Sequence, residues 1–285
     1  MSIPITDNHA HLNPLRGLGY KAIEQFRSSG GRNIVLVNLL TKSYGRPARS
    51  IEDFKFMYQY HISVVDTINA RYNIRAYAVI GPHPAELTEM LKRGISLNSA
   101  MKLMIKAIDL AIDIILSDRR KCIALGEVGR PHYKVPSVVW KVSNDILSYA
   151  LERAAETNLP VQIHMETPNE ENLHELSEII DKAGIKRNKV IIHHAPPIVR
   201  LINSFGFIPS VVARENYIKA AIREGGYFLL ETDYLDDPRR PGAVLSLRTI
   251  PKNVRRLLRL GILNEVSLEE IFVRLPEKVY CVPFR

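Results

Sequence analysis

The sequence predicts an α/β fold, a (β/α)8 or TIM barrel, from three observations. Short β-branched runs alternate with longer stretches of helical periodicity along the chain. Several of these runs, such as "NIVLVNLL", "RAYAVIG" and "KVIIH", are almost continuously apolar, as in parallel strands that are covered on both faces. The eight predicted strands and their helices occupy the roughly 250 residues typical of such a barrel. An open doubly wound sheet shows the same alternation, but no glycine-rich phosphate fingerprint follows the first strand.

Each strand is predicted from an apolar run, and each helix from apolar residues at three- and four-residue spacing. The strands are Pro4–Asp7, Asn33–Leu40, Arg75–Ile80, Cys122–Gly126, Pro160–Ile163, Lys189–Ile192, Phe207–Val212 and Tyr227–Glu231. The helices are Lys21–Ser29, Ile51–Ala70, Ser99–Ser117, Val138–Asn158, Glu170–Ala183, Pro197–Phe205, Arg214–Glu224, Lys252–Leu260 and Leu268–Leu275. Glycines in "KAGIKRN" and "REGGYF" mark helix ends.

No internal repeat, low-complexity tract or linker divides the sequence, so residues 1–285 are expected to form a single domain. The segment "SYGRPARSIEDFK" after the second strand is a longer loop that could form part of a lid. The most apolar helix, "MKLMIKAIDLAIDIIL", carries charges at helical spacing, which predicts an amphipathic helix and no membrane partner. With no secretory signal and only two cysteines, Cys122 and Cys281, we expect a cytoplasmic protein.

The net charge of +9 favours anionic partners such as nucleic acid or phosphate esters. An alternative is an ion-pair-rich surface of the kind found in thermophiles, because the basic residues are spread along the chain between acidic ones. The charge therefore does not decide between a nucleic-acid surface and a merely solvated one. Nothing in the sequence predicts an oligomeric state.

Metal-competent side chains lie at the carboxyl ends of six predicted strands. They are Asp7, His9 and His11 after the first strand, His83 after the third, Glu127 after the fourth, His164 and Glu166 after the fifth, His193 and His194 after the sixth, and Glu231 and Asp233 after the eighth. In a barrel these ends converge on one face, where active sites are built. Of the adjacent pair His193 and His194, an extended strand would turn only one toward the site.

Imidazole and carboxylate groups without thiolates suit Zn, Mn, Mg or Co, so the sequence predicts one or two divalent metal ions as cofactors. Glu127 is a carboxylate that can bridge two cations, and Asp233 can both ligate and accept a proton from bound water. Two bridged cations lower the pKa of the water between them and hold a phosphoryl or carbonyl oxygen. We therefore expect a hydrolase in which a metal-bound hydroxide is the nucleophile.

The ordered motifs "DNHAHL", "GPHP", "LGEVG", "PVQIH" and "LLETDY" resemble those of the TatD-related branch of the amidohydrolase superfamily across almost the whole chain. The resemblance implies that His9 and His11 bind the more buried metal and that Glu127 bridges. It implies that His164 and His193 bind the second metal, while Asp233 ligates the first and is the general base. The continuations "GRPHYKVP", "HHAPP" and "YLDDPRRPGAV" depart from the nucleases of this group, and are more similar to an archaeal, uncharacterised branch.

Three functions follow from this resemblance and from the charge. The first is phosphodiester hydrolysis, as a TatD-like DNase or exonuclease, with substrate contacts from His83, Glu166, Arg239 and Arg240. Arg239 and Arg240 would present guanidinium groups to a phosphate, or would instead pair with Asp236 and Asp237 in a surface turn. The second is hydrolysis of a lactone, amide or ester in a pocket lined by Tyr44, Tyr133 and Tyr234. The third is a barrel that binds metal without catalysis.

Overall fold

A computed structural model of the protein describes residues 3–237, 239 and 244–285. Its sheet contains parallel strands in the order β8-β7-β6-β5-β4-β3-β2-β1-β9. The strands are β1 (Ile5–His11), β2 (Gly31–Val37), β3 (Arg75–Ile80), β4 (Cys122–Gly129), β5 (Val161–His164), β6 (Val190–Ala195), β7 (Ile208–Val212), β8 (Leu229–Glu231) and β9 (Tyr234–Leu235). Each of the eight predicted strands is present, and the structure adds β9.

The short strand β9 closes the barrel. Only Thr232 and Asp233 separate it from β8, and it pairs in parallel with β1, with Tyr234 opposite Ala10. Between the two strands, the backbone N–H of Asp233 donates to the carbonyl oxygen of His9 at 3.0 Å. The eighth strand therefore continues, after a break, along the first one. This closure confirms the predicted (β/α)8 fold.

The helices cover the outside of the sheet. They are α1 (Tyr20–Ser28), α2 (Ile51–Arg71), α3 (Ala85–Lys92), α4 (Leu97–Ser117), α5 (Ser137–Thr157), α6 (Glu170–Ala183), α7 (Val199–Ser204), α8 (Glu215–Glu224), α9 (Thr249–Arg259), α10 (Glu265–Glu269) and α11 (Leu275–Tyr280), with a π-helical turn at Glu270–Arg274. Helix α3, which the apolar pattern did not predict, follows the "GPHP" turn. Within the described residues, no helix has the length and apolarity needed to cross a membrane.

Two apolar layers hold the barrel together, and the alternation of strand residues separates them. Outward-facing residues such as Leu36 and Ala78 pack against the helices. Inward-facing residues such as Val35 and Val79 fill the barrel and meet Tyr280 and Phe284 from the C-terminal segment. That segment packs against the interior from the amino-terminal end, and the polar residues gather at the opposite, carboxyl end.

Irregular strand pairing accompanies the polar residues at that end. Register shifts fall within residues 7–10 of β1, 125–128 of β4 and 192–195 of β6. These short segments contain His9, Glu127 and His193. A local irregularity re-aims the side chains of a strand, and such features are common beside active sites. The predicted ends of strands one and four are wrong for a related reason: both continue through polar residues, to His11 and Gly129, because these residues are buried.

Candidate metal centre

The side chain of Glu127 lies at the centre of the polar cluster, between two groups of imidazoles. Its Oε1 atom is 3.1 Å from Nε2 of His9 and 3.1 Å from Nε2 of His11. Its Oε2 atom is 2.8 Å from Nδ1 of His164 and 3.2 Å from Nε2 of His193. The carboxylate is 3 % exposed. Each oxygen therefore faces its own pair of ring nitrogens, and we call these the Oε1 group and the Oε2 group.

Asp233 completes the Oε1 group. Its Oδ1 atom is 3.6 Å from Nε2 of His11 and 4.0 Å from Nε2 of His9. The residue has a φ of 48°, a left-handed conformation that Asp tolerates better than most residues. This conformation breaks the strand between β8 and β9 and coincides with the entry of the carboxylate into the barrel mouth. One ligand atom from each of His9, His11 and Asp233 lies within 4.8 Å of the others.

His83 extends the Oε2 group. Its Nε2 atom is 3.4 Å from Oε2 of Glu127, and His83, Glu127 and His164 form a second set of donors within 4.8 Å of one another. The sequence predicts His83 as a substrate contact, and its position also allows it to be a ligand. The structure thus brings together every residue that the sequence predicts as a metal ligand.

The donor set fits a divalent metal. It consists of imidazole nitrogens and carboxylate oxygens, the ligands that suit Zn, Mn or Mg better than softer ions. Behind it, the buried Oε2 atom of Glu231 has no hydrogen-bond partner among the described residues. A buried carboxylate oxygen without a partner destabilises the folded protein unless a cation or a water molecule binds it. The residues can therefore hold one or two ions, with Glu127 positioned to share both.

The electrostatic setting keeps Glu127, Asp233 and His164 in their metal-binding forms, whereas at His11 and His193 the adjacent Glu127 outweighs burial and raises the pKa of both imidazoles. Burial alone would raise the pKa of Glu127, but His193, His83 and His9 outweigh it and hold that pKa well below its usual range. Burial also opposes ionisation of Asp233, yet the hydrogen bond from His194 and the nearby imidazoles lower its pKa. For His164, burial and the neighbouring His83 lower the pKa to about 3, so the ring is neutral at pH 7.

Three of the imidazoles are oriented from behind by buried acceptors. Nδ1–H of His9 donates to Oε1 of Gln162 at 2.7 Å, and Nδ1–H of His11 donates to the carbonyl oxygen of Val37 at 3.0 Å. Nδ1–H of His193 donates to Oε1 of Glu231 at 3.3 Å. With the proton on Nδ1, the Nε2 lone pair of each ring faces the cluster. This tautomer is the one that metal binding requires.

The adjacent pair His193 and His194 both reach the site, although an extended strand would separate them. His193 is buried within the cluster. His194 has a φ of 52°, so the strand turns there and its ring reaches Asp233, with Nδ1 2.7 Å from Oδ2. Sequence reasoning did not assign a role to His194, because only this positive φ brings the ring to the carboxylate. Of the two, His193 is the residue that contacts Glu127.

Asp7, the first acid of the "DNHAH" motif, does not join the cluster. Its Oδ1 atom accepts the backbone N–H of Thr232 at 3.0 Å, and its Oδ2 atom accepts the Thr232 hydroxyl at 2.6 Å. Burial raises the pKa of Asp7 to about 7. The residue therefore links β1 to the segment that carries Asp233.

The predicted substrate contacts lie in different surroundings. Glu166 borders the cavity, but its carboxylate pairs with the fully buried guanidinium of Arg130.

Arg239 is exposed and pairs with Asp237, with Nε 3.0 Å from Oδ1. The predicted pairing in a surface turn is thus observed for Asp237. Asp236 instead is buried and accepts backbone N–H groups of the loop after β1. Arg240 lies outside the described residues.

A cavity of about 440 Å³ opens above the cluster. The apolar residues of its lining are Met165, Pro168, Leu235 and Val244, and its polar residues include His132 and His194. The tyrosines predicted to line an acyl pocket do not line this cavity. Their hydroxyl groups contact other residues: Tyr44 the Leu39 N–H, Tyr133 the Thr88 hydroxyl and Tyr234 the Asp236 carboxylate. That part of the prediction is wrong.

The loop after β2, predicted as part of a lid, is anchored away from the cavity. Glu86 of α3 accepts the backbone N–H of Thr41 at 2.5 Å and its hydroxyl at 3.0 Å. Arg93 donates to the carbonyl oxygen of Ala48 at 2.7 Å. Within the part of the chain that the structure describes, none of residues 43–55 borders the cavity.

A closed barrel with a carboxylate shared by two histidine groups at its carboxyl end defines the class of metal-dependent hydrolases. Within that class, the chain belongs to the family described as TatD related DNase, whose sequence profile matches residues 6–281. It is 34% identical over 283 residues to the uncharacterized protein MJ1127 of Methanocaldococcus jannaschii, with 98% of this chain and 96% of that protein covered. The predicted resemblance, including its archaeal branch, is confirmed.

Solved structures share the fold at low sequence identity. YJJV, a TatD homolog from Escherichia coli, superposes with a TM-score of 0.65 at 17% identity, covering 99% of this chain and 100% of that one. The phosphotriesterase homology protein from Escherichia coli, solved with phosphate in its active site, gives a TM-score of 0.63 at 13% identity and covers 98% and 99%. At these identities, the likeness concerns the barrel architecture.

Proposed function

We propose that this protein hydrolyses phosphodiester bonds, with nucleic acid as its substrate class. The observation that carries the proposal is the position of Glu127, which faces two separate groups of ligands with its two oxygens. Two cations spaced by one carboxylate suit the in-line displacement of a phosphoryl group, in which attacking and leaving oxygens both need stabilisation. The family membership and the net charge of +9 support the same substrate class.

His9, His11 and Asp233 would hold one ion and His164 and His193 the other, with Glu127 shared between them. Ions bound there would supply Lewis-acid activation of a water molecule and of a phosphoryl oxygen. His83 is close enough to Glu127 to contribute to the second group or to contact the substrate.

Asp233 is the proposed general base. Its Oδ2 atom is engaged by His194, so its Oδ1 atom, which faces the Oε1 group, is the one that would accept a proton. Its lowered pKa keeps it ionised at neutral pH. His194 and His132 on the rim, together with Glu166, are the side chains that a substrate would meet as it enters the cavity.

The test is digestion of a 3′-labelled single-stranded oligonucleotide by chelator-stripped protein, with Mg, Mn, Zn or Co added back. We expect cleavage that depends on the metal and is lost in His164→Ala. His174→Ala is the matched control, since this exposed histidine of α6 contacts Phe205 outside the site. Background digestion with all four metals would overturn the nuclease proposal.

A second candidate function is hydrolysis of a lactone, amide or ester at the same centre. The apolar lining residues Met165, Pro168, Leu235 and Val244 favour it, because a carbon substrate with an apolar portion would bury surface against them. A screen of such substrates with metal-loaded protein separates the two candidates. Turnover of an acyl substrate without cleavage of oligonucleotides would select this one.

We also propose that residues 1–285 act as one domain in the cytoplasm. In support, one apolar cluster runs from β1 to β6, and Cys122 and Cys281 are both free thiols. Size-exclusion chromatography and limited proteolysis of the full chain test the single-domain proposal. Release of a stable fragment would contradict it.

A further inference from the structure

The imidazole of His164 is turned the opposite way from the other strand-borne histidines of the cluster. His9, His11 and His193 face Glu127 with Nε2, whereas His164 faces it with Nδ1, at 2.8 Å. Its Nε2 atom therefore points outward and needs a partner of its own. A metal-ligating histidine almost always donates its remote N–H to an acceptor that fixes the ring.

That partner is His132. Nε2 of His164 lies 2.8 Å from Nδ1 of His132, a residue of the loop between β4 and α5. With a metal on Nδ1 of His164, the proton of that ring is on Nε2, and the contact becomes a hydrogen bond donated to His132. The partners of His9, His11 and His193 are buried, but His132 is exposed.

The loop that carries His132 is fixed to the strand that carries His164. The backbone N–H of Arg130 donates to the carbonyl oxygen of His164 at 3.0 Å. Gly129 permits this approach, because a Cβ atom there would lie 1.9 Å from the same oxygen and its φ is 150°. The buried guanidinium of Arg130 also binds Glu166, on the far side of His164 in the chain. His132 is thus held at His164 by the two residues that precede Pro131.

We propose that His132 is a positioning residue for the metal of the Oε2 group. It acts through His164, by accepting the Nε2 proton and holding the Nδ1 lone pair toward Glu127. The inference rests on the proposed function, since it assumes that the cluster binds divalent ions. Loss of a partner of this kind lowers metal affinity about 10- to 100-fold. The loss should be confined to one of the two binding steps, because the Oε1 group has its own buried partners.

The experiment is calorimetric titration of the metal-free full-length protein with Zn²⁺ or Mn²⁺, against a competing chelator for the tighter step. His132→Ala removes the acceptor, and His132→Asn retains one, since its side-chain oxygen stands near the place of Nδ1. Lys134→Ala, an exposed residue of the same loop, controls for changes to the loop surface. Circular dichroism confirms that each variant is folded, and ¹⁵N NMR of the zinc-loaded protein reports which ring nitrogen of His164 carries the proton.

We expect His132→Ala to weaken one step about 10- to 100-fold, His132→Asn to restore most of that loss, and Lys134→Ala to match the wild type. A proton on Nε2 of His164 is expected in the wild type. Two unchanged steps in His132→Ala would overturn the positioning role and leave the proposed function standing. A wild-type protein that binds no divalent ion would overturn both.

Discussion

The two groups of ligands around Glu127 share one carboxylate but differ in how the protein holds them. In the Oε1 group, His9 and His11 are part of β1, and their outer nitrogens bind Gln162 and Val37 inside the barrel. In the Oε2 group, His83 lies on a loop and His164 ends its strand, with side chains 18 % and 13 % exposed. The outer partner of His164 is the exposed His132.

This difference indicates that the Oε1 group forms together with the barrel strands, whereas the Oε2 group also needs residues on loops, His83 and His132. The Oε1 group is tied to the C-terminal segment as well, because Gln162 donates to the hydroxyl of Tyr280, which in turn donates to Asn8. Substitutions of the residues that support the Oε1 group should therefore lower folding stability as well as metal affinity. Changes at His83 and His132, the loop residues around the Oε2 group, should affect metal affinity alone.

The largest effect is expected from Glu127→Gln, because Glu127 is the one residue that both groups share. Loss of the bridging charge should weaken both binding steps and cut turnover by roughly 10³-fold, since metal activation supplies several kcal/mol. Metal content and turnover are measured together, with the exposed Glu152→Gln as the control. Ordinary metal affinity in Glu127→Gln would mean that the carboxylate does not bridge.

Asp7→Ala tests whether the Oε1 group forms with the barrel. The substitution leaves the N–H and the hydroxyl of Thr232 without their buried acceptor, which should cost roughly 3 kcal/mol of unfolding free energy. Urea unfolding of the metal-free protein measures it. Asp66→Ala removes an exposed partner of Lys121 and should cost under about 1 kcal/mol. Equal losses in the two variants would contradict a structural role for Asp7.

Asp233→Asn separates metal binding from proton transfer within the Oε1 group. An amide can still ligate weakly but cannot accept the proton, so turnover should fall about 100-fold. Metal content should fall by a smaller factor, because His9, His11 and Glu127 remain. A variant that loses metal and turnover in equal measure would contradict the assignment of Asp233 as the base. If metal binding and biological function were both unaffected, a non-catalytic barrel would be favoured.

The smallest effect concerns His61, a buried histidine of α2 outside both groups. Burial lowers its pKa from the ordinary 6.5 to about 4, and its Nε2–H donates to the carbonyl oxygen of Leu36. In the unfolded chain, His61 binds a proton near pH 6.5. In the folded protein, it binds that proton only near pH 4. Its contribution to stability is therefore present above pH 6.5 and is lost as the pH falls toward 4.

For the metal-free protein, this difference in proton binding lowers the free energy of unfolding by about 2 kcal/mol as the pH falls from 7 to 5. His61→Gln, which keeps a donor near the position of Nε2, should remove that part of the pH dependence of the unfolding free energy, measured by urea unfolding at pH 7 and pH 5. Identical slopes in wild type and variant would show that His61 does not titrate as its burial requires.

Much of the fold and of the candidate site could be predicted because the barrel makes strand ends meet. Alternating apolar runs and helices predict the topology, and the topology brings His9, Glu127 and Asp233 together without any knowledge of the loops. The roles of these residues as ligands and base stay predictions. The residues that were missed, His132, Gln162 and Arg130, act through contacts with another side chain and leave no periodic signal.

The sequence by itself determined the class of fold, the chemistry of the ligands and the family, because these depend on residue types at strand ends. Only the tertiary structure decided how the ligands divide into two groups. That division depends on irregular pairing in β1, β4 and β6 and on positive φ angles at His194 and Asp233. Such local backbone geometry results from packing between distant segments, and no short stretch of sequence contains both partners.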